Sequence, residues 1–213
     1  MSDAVLQEWQ VRVSNRGISP VIPDGCRDLI YLVSPGKRPR WFVTSLDRSV
    51  RSVTVRPGDL YWGFRLRPGA GVDVGKLLES VKNLEPGLGE VVSRIESFSF
   101  MQPGLAEALA CLASGVENIE TAARELGVCV RTLQRLVREH TGTVPLFWLR
   151  LARVRKSARA VVCTASLAET AHDFGFADQA HMSREFRHWL NVSPLGVKLD
   201  SRIAGQLEQR GYC

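Results

Sequence analysis

Residues 122–145 (AARELGVCVRTLQRLVREHTGTVP) and 170–194 (TAHDFGFADQAHMSREFRHWLNVSP) are two copies of one pattern, about 48 residues apart. Ala123 aligns with Ala171 and Gly127 with Gly175, and an apolar residue, Val128 or Phe176, follows each glycine. After a one-residue length difference, Leu133 aligns with Met182, Arg135 with Arg184, Val137 with Phe186, Gly142 with Asn191 and Pro145 with Pro194. Each copy has the anatomy of a helix-turn-helix. A small residue sits where two helices touch, a glycine ends the first helix, an apolar residue plugs the corner, and the second helix is apolar on one side. Gly142 and Asn191 both tolerate positive φ, which suits the end of that second helix. Ser166-Leu-Ala-Glu169 is a capping-box pattern opening the second copy. One such match is common by chance. Two in register are not, and they demand an all-α region of paired lobes.

The connector, PLFWLRLARVRKSARAVV (145–162), reads as one helix about 25 Å long at 1.5 Å per residue. Phe147, Leu149, Leu151, Val154 and Ala158 are expected to face the lobes, with Arg150, Arg153, Arg155, Lys156 and Arg159 left in solvent. Major-groove faces recur about every 34 Å along one side of DNA, so a rod of this length suits setting two helices one turn apart. The charge agrees. The chain carries 28 basic and 22 acidic residues, a net +6. Between Arg131 and Arg159 eight basic residues face a single acid, Glu139. That stretch is the electrostatic footprint expected for a nucleic acid.

Three phrases, LGVCVRTLQRLVREHTG, then P-x-x-W-L-R-L-x-R-V, then SLAETAHDFGFADQAHMSREFRHWLNVSP, make positions 118–194 resemble the DNA-binding domain of the AraC/XylS family of transcription regulators. Two departures from that pattern are mild: Ser157 stands where the linker helix often has Ala, and Asn191 replaces the usual Gly. VIPDGCRDLIYL (21–32) and GFRLRPGA (63–70) resemble an N-terminal domain of uncharacterised function found fused to such DNA-binding domains. At about 95 residues this part is small for the sugar-binding barrel of the arabinose-type regulators, and that sensor's ligand is not carried over.

Upstream the texture differs. Residues 27–33, 41–46, 49–55 and 59–66 are short, β-branched and aromatic, separated by Pro, Gly and Asp, which predicts antiparallel strands. Residues 74–84, 87–98 and 103–114 carry Leu, Val and Ile at helical spacing. The expected fold is α+β: a small β-rich N-terminal domain over 1–98 with trailing helices, then an all-α DNA-binding domain over 105–200. Within the latter, the first helix-turn-helix covers about 118–142, the linker helix 145–162 and the second about 166–191.

In the first recognition helix Arg131, Thr132, Gln134 and Arg135 share the polar face. Arg suits the O6/N7 edge of guanine and Gln the N6/N7 edge of adenine. The family resemblance implies base contacts at Arg131, Gln134 and Arg135. The corresponding residues of the second helix are Gln179, Ala180, His181, Ser183 and Arg184, where family members often grip the backbone more than the bases. Arg138, Arg153, Arg155, Lys156, Arg159 and Arg187 are the expected phosphate contacts, which position without specifying. Asp178 reads as an N-cap, and Trp148 and Trp189 as packing between lobes.

Five scattered cysteines without a C-x-x-C match thiol usage in a reducing compartment. Cys26, beside Arg27 in a glycine turn, is either a sensor thiol or a packed small side chain. His172, His181 and His188 lack the i, i+4 spacing of a helical zinc pair, so neither metal nor cofactor is expected. No phosphate-binding loop, nucleophile elbow or paired catalytic carboxylates appear, which argues against an enzyme. The opening MSDAVLQEWQ has no basic-then-apolar leader and no run nears a membrane span, so the expected location is the cytoplasm. The implied function is sequence-specific regulation at double-stranded promoter DNA, with activation through RNA polymerase favoured over repression. The N-terminal domain would respond to a small-molecule effector or protein partner, or form a homodimer. The alternative is a protein-interaction module that antagonises another regulator and binds DNA weakly.

Overall fold

The computed structural model describes residues 4–213. The first part is built on a four-stranded antiparallel sheet of order β1-β6-β3-β4, with β1 at Val5–Arg12, β3 at Asp28–Val33, β4 at Arg40–Val43 and β6 at Leu60–Leu66. A separate ribbon pairs β2 (Gly17–Val21) with β5 (Arg51–Val55). Strands β1 and β2 precede the first strand expected from sequence. Strand β1 is an edge strand whose Glu8, Gln10 and Arg12 stay in solvent, so its pattern reads as polar. Strand β2 contains Pro20, tolerated because a two-stranded ribbon is all edge.

Period-two alternation gives the sheet two different faces. Leu29, Phe64 and Leu66 point to one side and are covered by α1 (Val74–Val81) and α2 (Leu88–Phe98). Those helices contribute Leu77 and Val81, then Val91 and Ile95, each pair at i, i+4 on one face. Asp73 caps α1 by accepting from the Lys76 N–H at 3.1 Å. On the other side of the sheet Asp28, Ile30, Tyr61 and Arg65 face the ribbon.

A short β7 (Gly71–Val72) pairs with β8 (Ser99–Phe100), after which the chain enters the helical part. Here α3 (Pro103–Ser114), α4 (Ile119–Glu125), α5 (Val130–Thr141), α7 (Leu167–Asp173), α8 (Gln179–Leu190), α9 (Pro194–Leu199) and α10 (Ser201–Glu208) all pack on α6 (Pro145–Cys163). Helix α6 therefore runs through the middle of the core, burying Trp148, Leu151, Val154, Ala158 and Val161. The core extends beyond the two lobes: Leu105 on one side and Ile203, Leu207 and Tyr212 on the other belong to it.

The two cores meet at residues 20–26. Ile22 is buried in the helical core, and its N–H donates to Gln206 Oε1 at 3.0 Å. Gln206 Nε2 donates to the Pro20 carbonyl at 2.7 Å, and the Tyr212 N–H to the Asp24 carbonyl at 2.7 Å. Gly25 adopts φ +76°, and a Cβ there would lie 2.6 Å from Tyr212 Cβ, so turn and close approach both require glycine. Tyr212 closes this joint: its ring stands edge-on to Trp148 at 4.8 Å and its hydroxyl donates to the Leu109 carbonyl at 2.7 Å. Tyr212→Phe should cost about 1 kcal/mol and Tyr212→Ala about 3–5 kcal/mol of unfolding free energy. Denaturant titration of the full chain checks both values.

Candidate nucleic-acid interface

The two halves of the repeat fold alike down to their hydrogen bonds. Helix α4 starts at Asn118, whose side chain accepts from the Thr121 N–H at 2.8 Å. Helix α7 starts at Ser166, which accepts from the Glu169 N–H at 3.2 Å. Both end in the same glycine motif. Gly127 (φ +65°) and Val128 donate to the carbonyls of Arg124 and Ala123. Gly175 (φ +70°) and Phe176 donate to those of His172 and Ala171. The corner residues differ from expectation in one respect: Phe176 is buried, whereas Val128 is exposed and plugs nothing.

The second helices also correspond. Leu133 and Val137 bury one side of α5, as Met182 and Phe186 do for α8. Asp178 caps α8, accepting from the His181 N–H at 2.5 Å. Gly142 (φ +67°) closes α5 by donating to the Arg138 carbonyl, and Asn191 (φ +58°) closes α8 by donating to that of Arg187. Arg138 and Arg187 are thus equivalent positions. Working back from them, Arg131, Gln134, Arg135 and Arg138 occupy the same places as Ala180, Ser183, Arg184 and Arg187, at i, i+3, i+4 and i+7. All are exposed except Ser183, which is half-buried. Among the described residues none of these five arginines enters an ion pair. Gln179 is exposed beside this face.

Two expected base readers point elsewhere. His181 Nδ1 accepts from the Ala177 N–H at 3.2 Å and its ring lies edge-on to Phe176, so the imidazole braces the turn. The Thr132 hydroxyl lies 3.2 Å from Cys129 Sγ at the start of α5.

The connector departs further, because its cations turn inward. Arg155 is fully buried, with Nη1 donating to the Pro23 carbonyl at 3.3 Å and Nη2 to the Gln209 carbonyl at 3.5 Å. It is not available to a phosphate. Its place explains this: Trp148, Leu151, Arg155 and Ala158 form one row along α6, and the row faces core. Arg159 donates to the carbonyls of Leu207 and Cys213, both at 2.7 Å. Arg153 donates to the Glu117 carbonyl at 3.0 Å and lies over the Phe176 ring. Lys156 donates to the Ala113 carbonyl.

Arg150 makes a two-pronged pair with Glu185 of α8, Nε to Oε2 at 3.0 Å and Nη2 to Oε1. Trp189 Nε1 adds a third donor at 3.2 Å. No local sequence pattern marks Glu185, since its partner lies 35 residues away. It locks the second recognition helix to the connector. Burial pushes the Glu185 carboxyl up, but Arg150 and Trp189 outweigh that and hold it below the usual carboxylate range. Cys26 does not qualify as a sensor thiol. It is buried, and burial reinforced by Asp24 raises its pKa far above that of a reactive thiol.

Fold and faces together define a double helix-turn-helix protein with a β-rich N-terminal part. Residues 122–198 match the family described as a helix-turn-helix domain. The HTH-type transcriptional regulator GlxA of Rhizobium meliloti (strain 1021) is 32% identical over 114 residues, 52% of this chain and 35% of that protein. The HTH-type transcriptional activator RhaS of Escherichia coli O139:H28 is 30% identical over 82 residues, 38% of this chain and 30% of its own. The matched stretch is about a third of the length of these curated relatives. The structure of ToxT from Vibrio cholerae O395 aligns over 91% of this chain and 98% of its own, at 10% identity and a TM-score of 0.53, a likeness of fold. Over residues 122–198 the chain carries a helix-turn-helix domain similar to that of these transcription regulators.

Glu185→Gln should destabilise the chain by about 1.5–3 kcal/mol at neutral pH, the range for hydrogen bonds to a charged group. Because the folded carboxyl is depressed, that contribution is present above the ordinary Glu value of about 4.3 and fades as pH falls through the folded one. Unfolding free energies of parent and variant should therefore converge only in acid.

Proposed function

We propose that this protein is a sequence-specific DNA-binding regulator that sets α5 and α8 into consecutive major grooves on one side of a promoter. The observation that carries this reading is the pair of exposed faces in identical register, holding five arginines that make no ion pair among the described residues. Arg131, Gln134 and Arg135 read base edges. Ala180, Ser183, Arg184 and Gln179 form the sparser second face, and Arg138 and Arg187, in the last turn of their helices, hold phosphates. The name of the activator RhaS supports activation as the sign, with RNA polymerase as the partner recruited. We assign the protein to the cytoplasm, where promoter DNA lies, and among the described residues no helix is long and apolar enough to cross a membrane. The β-rich part takes the role of effector-responsive domain.

Selection of duplexes from a random pool by the full chain, at two salt concentrations, should enrich two blocks about one helical turn apart. Arg135→Ala should lose about 1–3 kcal/mol at one base and relax preference there. Arg138→Ala should weaken all sequences alike and lower the salt slope by about one. Salt-sensitive binding without any enriched motif would overturn the reading and favour an interaction module.

A further inference from the structure

The face of the sheet turned away from α1 and α2 is only partly covered. Between it and the β2–β5 ribbon lies a cavity of about 250 Å³. At about 30 Å³ per water that is room for about eight waters, or one ring with a short tail. Its apolar wall is rich in aromatic and branched groups: Trp9, Ile30, Phe42, Val53 and Tyr61. This combination of an apolar wall and a few converging polar groups is typical of small-molecule sites.

The polar end is acidic. The ionised side chains on the wall are Asp24, Asp28, Asp47, Arg51 and Arg65, three acids against two bases. Asp47 and Arg51 pair with each other at 3.0 Å. Arg65 is shared between two carboxylates, Nη2 to Asp24 Oδ2 at 3.0 Å and Nε to Asp28 Oδ1 at 3.2 Å. Trp9 Nε1 also donates to Asp28 Oδ1, at 2.9 Å. Both side-chain donors of Asp28 thus fall on one oxygen, and among the described residues Oδ2 accepts none. Asp28 is only 9% exposed. Burial dominates its titration and Arg65 does not fully offset it, so the carboxyl stands above its usual pKa. Of the cations outside the wall, Arg155 lies behind Asp24 in the joint, Arg27 donates to the Thr44 carbonyl at 3.0 Å, and Arg40 lies over the Phe42 ring at 5.4 Å from its centroid.

We propose that this cavity binds a small cationic molecule, an amine on an apolar ring or short chain, with the ammonium on Asp28 Oδ2 and the apolar part against Phe42, Val53 and Tyr61. The inference rests on the regulator reading and gives its effector-responsive domain a site and a ligand class. The site also touches the DNA-binding part. Gln206 and Gln209 form part of its rim, and Arg65 Nη1 donates to the Arg210 carbonyl at 2.8 Å. An ammonium at Asp28 competes with Arg65 for the same carboxylate, and so acts on the contact that holds the C-terminal segment.

The test is the thermal midpoint of the full chain with phenethylamine, the neutral phenethyl alcohol and the anionic hydrocinnamate. At about a hundredfold over its Kd the amine should raise Tm by about 5–10 °C, with little shift from the other two. Asp28→Asn should abolish the shift. Because that change also loosens Arg65, Val53→Phe serves as a second variant: it fills the cavity without touching the carboxylates and should abolish the shift too. An alcohol shift equal to the amine's, a larger hydrocinnamate shift, or an amine shift retained in Val53→Phe overturns the proposal. The duplex selection repeated with amine separates the two readings. Tm shift without any DNA motif would sink the regulator reading alone. A motif whose Kd moves less than threefold with saturating amine would sink the link between cavity and DNA.

Discussion

A guanidinium placed where water does not reach must be satisfied by the chain around it, and Arg155 sets the terms on which the two cores of this protein meet. Moving a cation out of water costs several kcal/mol unless partners replace the water. Here they are the carbonyls of Pro23 and Gln209, from opposite ends of the chain, while Nε has no partner among the described residues. Any slip of the N-terminal segment or of the C-terminal tail along α6 would remove one of these acceptors and leave more of the cation unpaired. Replacing the arginine alone would leave those carbonyls short of a donor, so the contact fixes one alignment of the two ends of the chain on α6. Tyr212, Gly25 and Gln206 crowd into the same alignment.

The paired lobes were legible in sequence because their turns depend on backbone conformations few residues adopt. Gly127, Gly175, Gly142 and Asn191 all take positive φ, and glycine or asparagine is what such positions select. Their spacing therefore transmits directly into helix ends. The strands from residue 27 onward were readable for a related reason, since alternating apolar residues between Pro and Gly leave few other conformations. Edge strand β1, polar on its solvent side, sends no comparable signal.

At the connector's cations two sequence signals disagree. Helical spacing places Arg155 in the row of Trp148, Leu151 and Ala158, which predicts burial, while its chemistry predicts solvent. The structure follows the spacing: Arg155 is buried in that row. Arg and Lys have long apolar stems and heads that can reach distant carbonyls, so a helix surrounded on all sides can still carry them. The acceptors for Arg153, Lys156 and Arg159 come from Glu117, Ala113, Leu207 and Cys213, segments that no local pattern joins to α6. The same holds for Glu185 and Arg150.

Turning a cation inward does not remove its charge. A carbonyl acceptor satisfies hydrogen bonds without cancelling the field, so Arg153, Lys156 and Arg159, half-buried near the surface, still raise the potential between the lobes. Among the described residues Arg150 is the one connector cation in an ion pair, with Glu185. The basic stretch thus does two jobs with different residues. The connector supplies a fixed positive field that draws an anion toward it, with its side chains already immobilised. Among the described residues the arginines of α5 and α8 carry no such ties, and their side chains stay in solvent. The exposed faces of α5 and α8 are thus set apart by a helix whose own cations are tied to the chain around it.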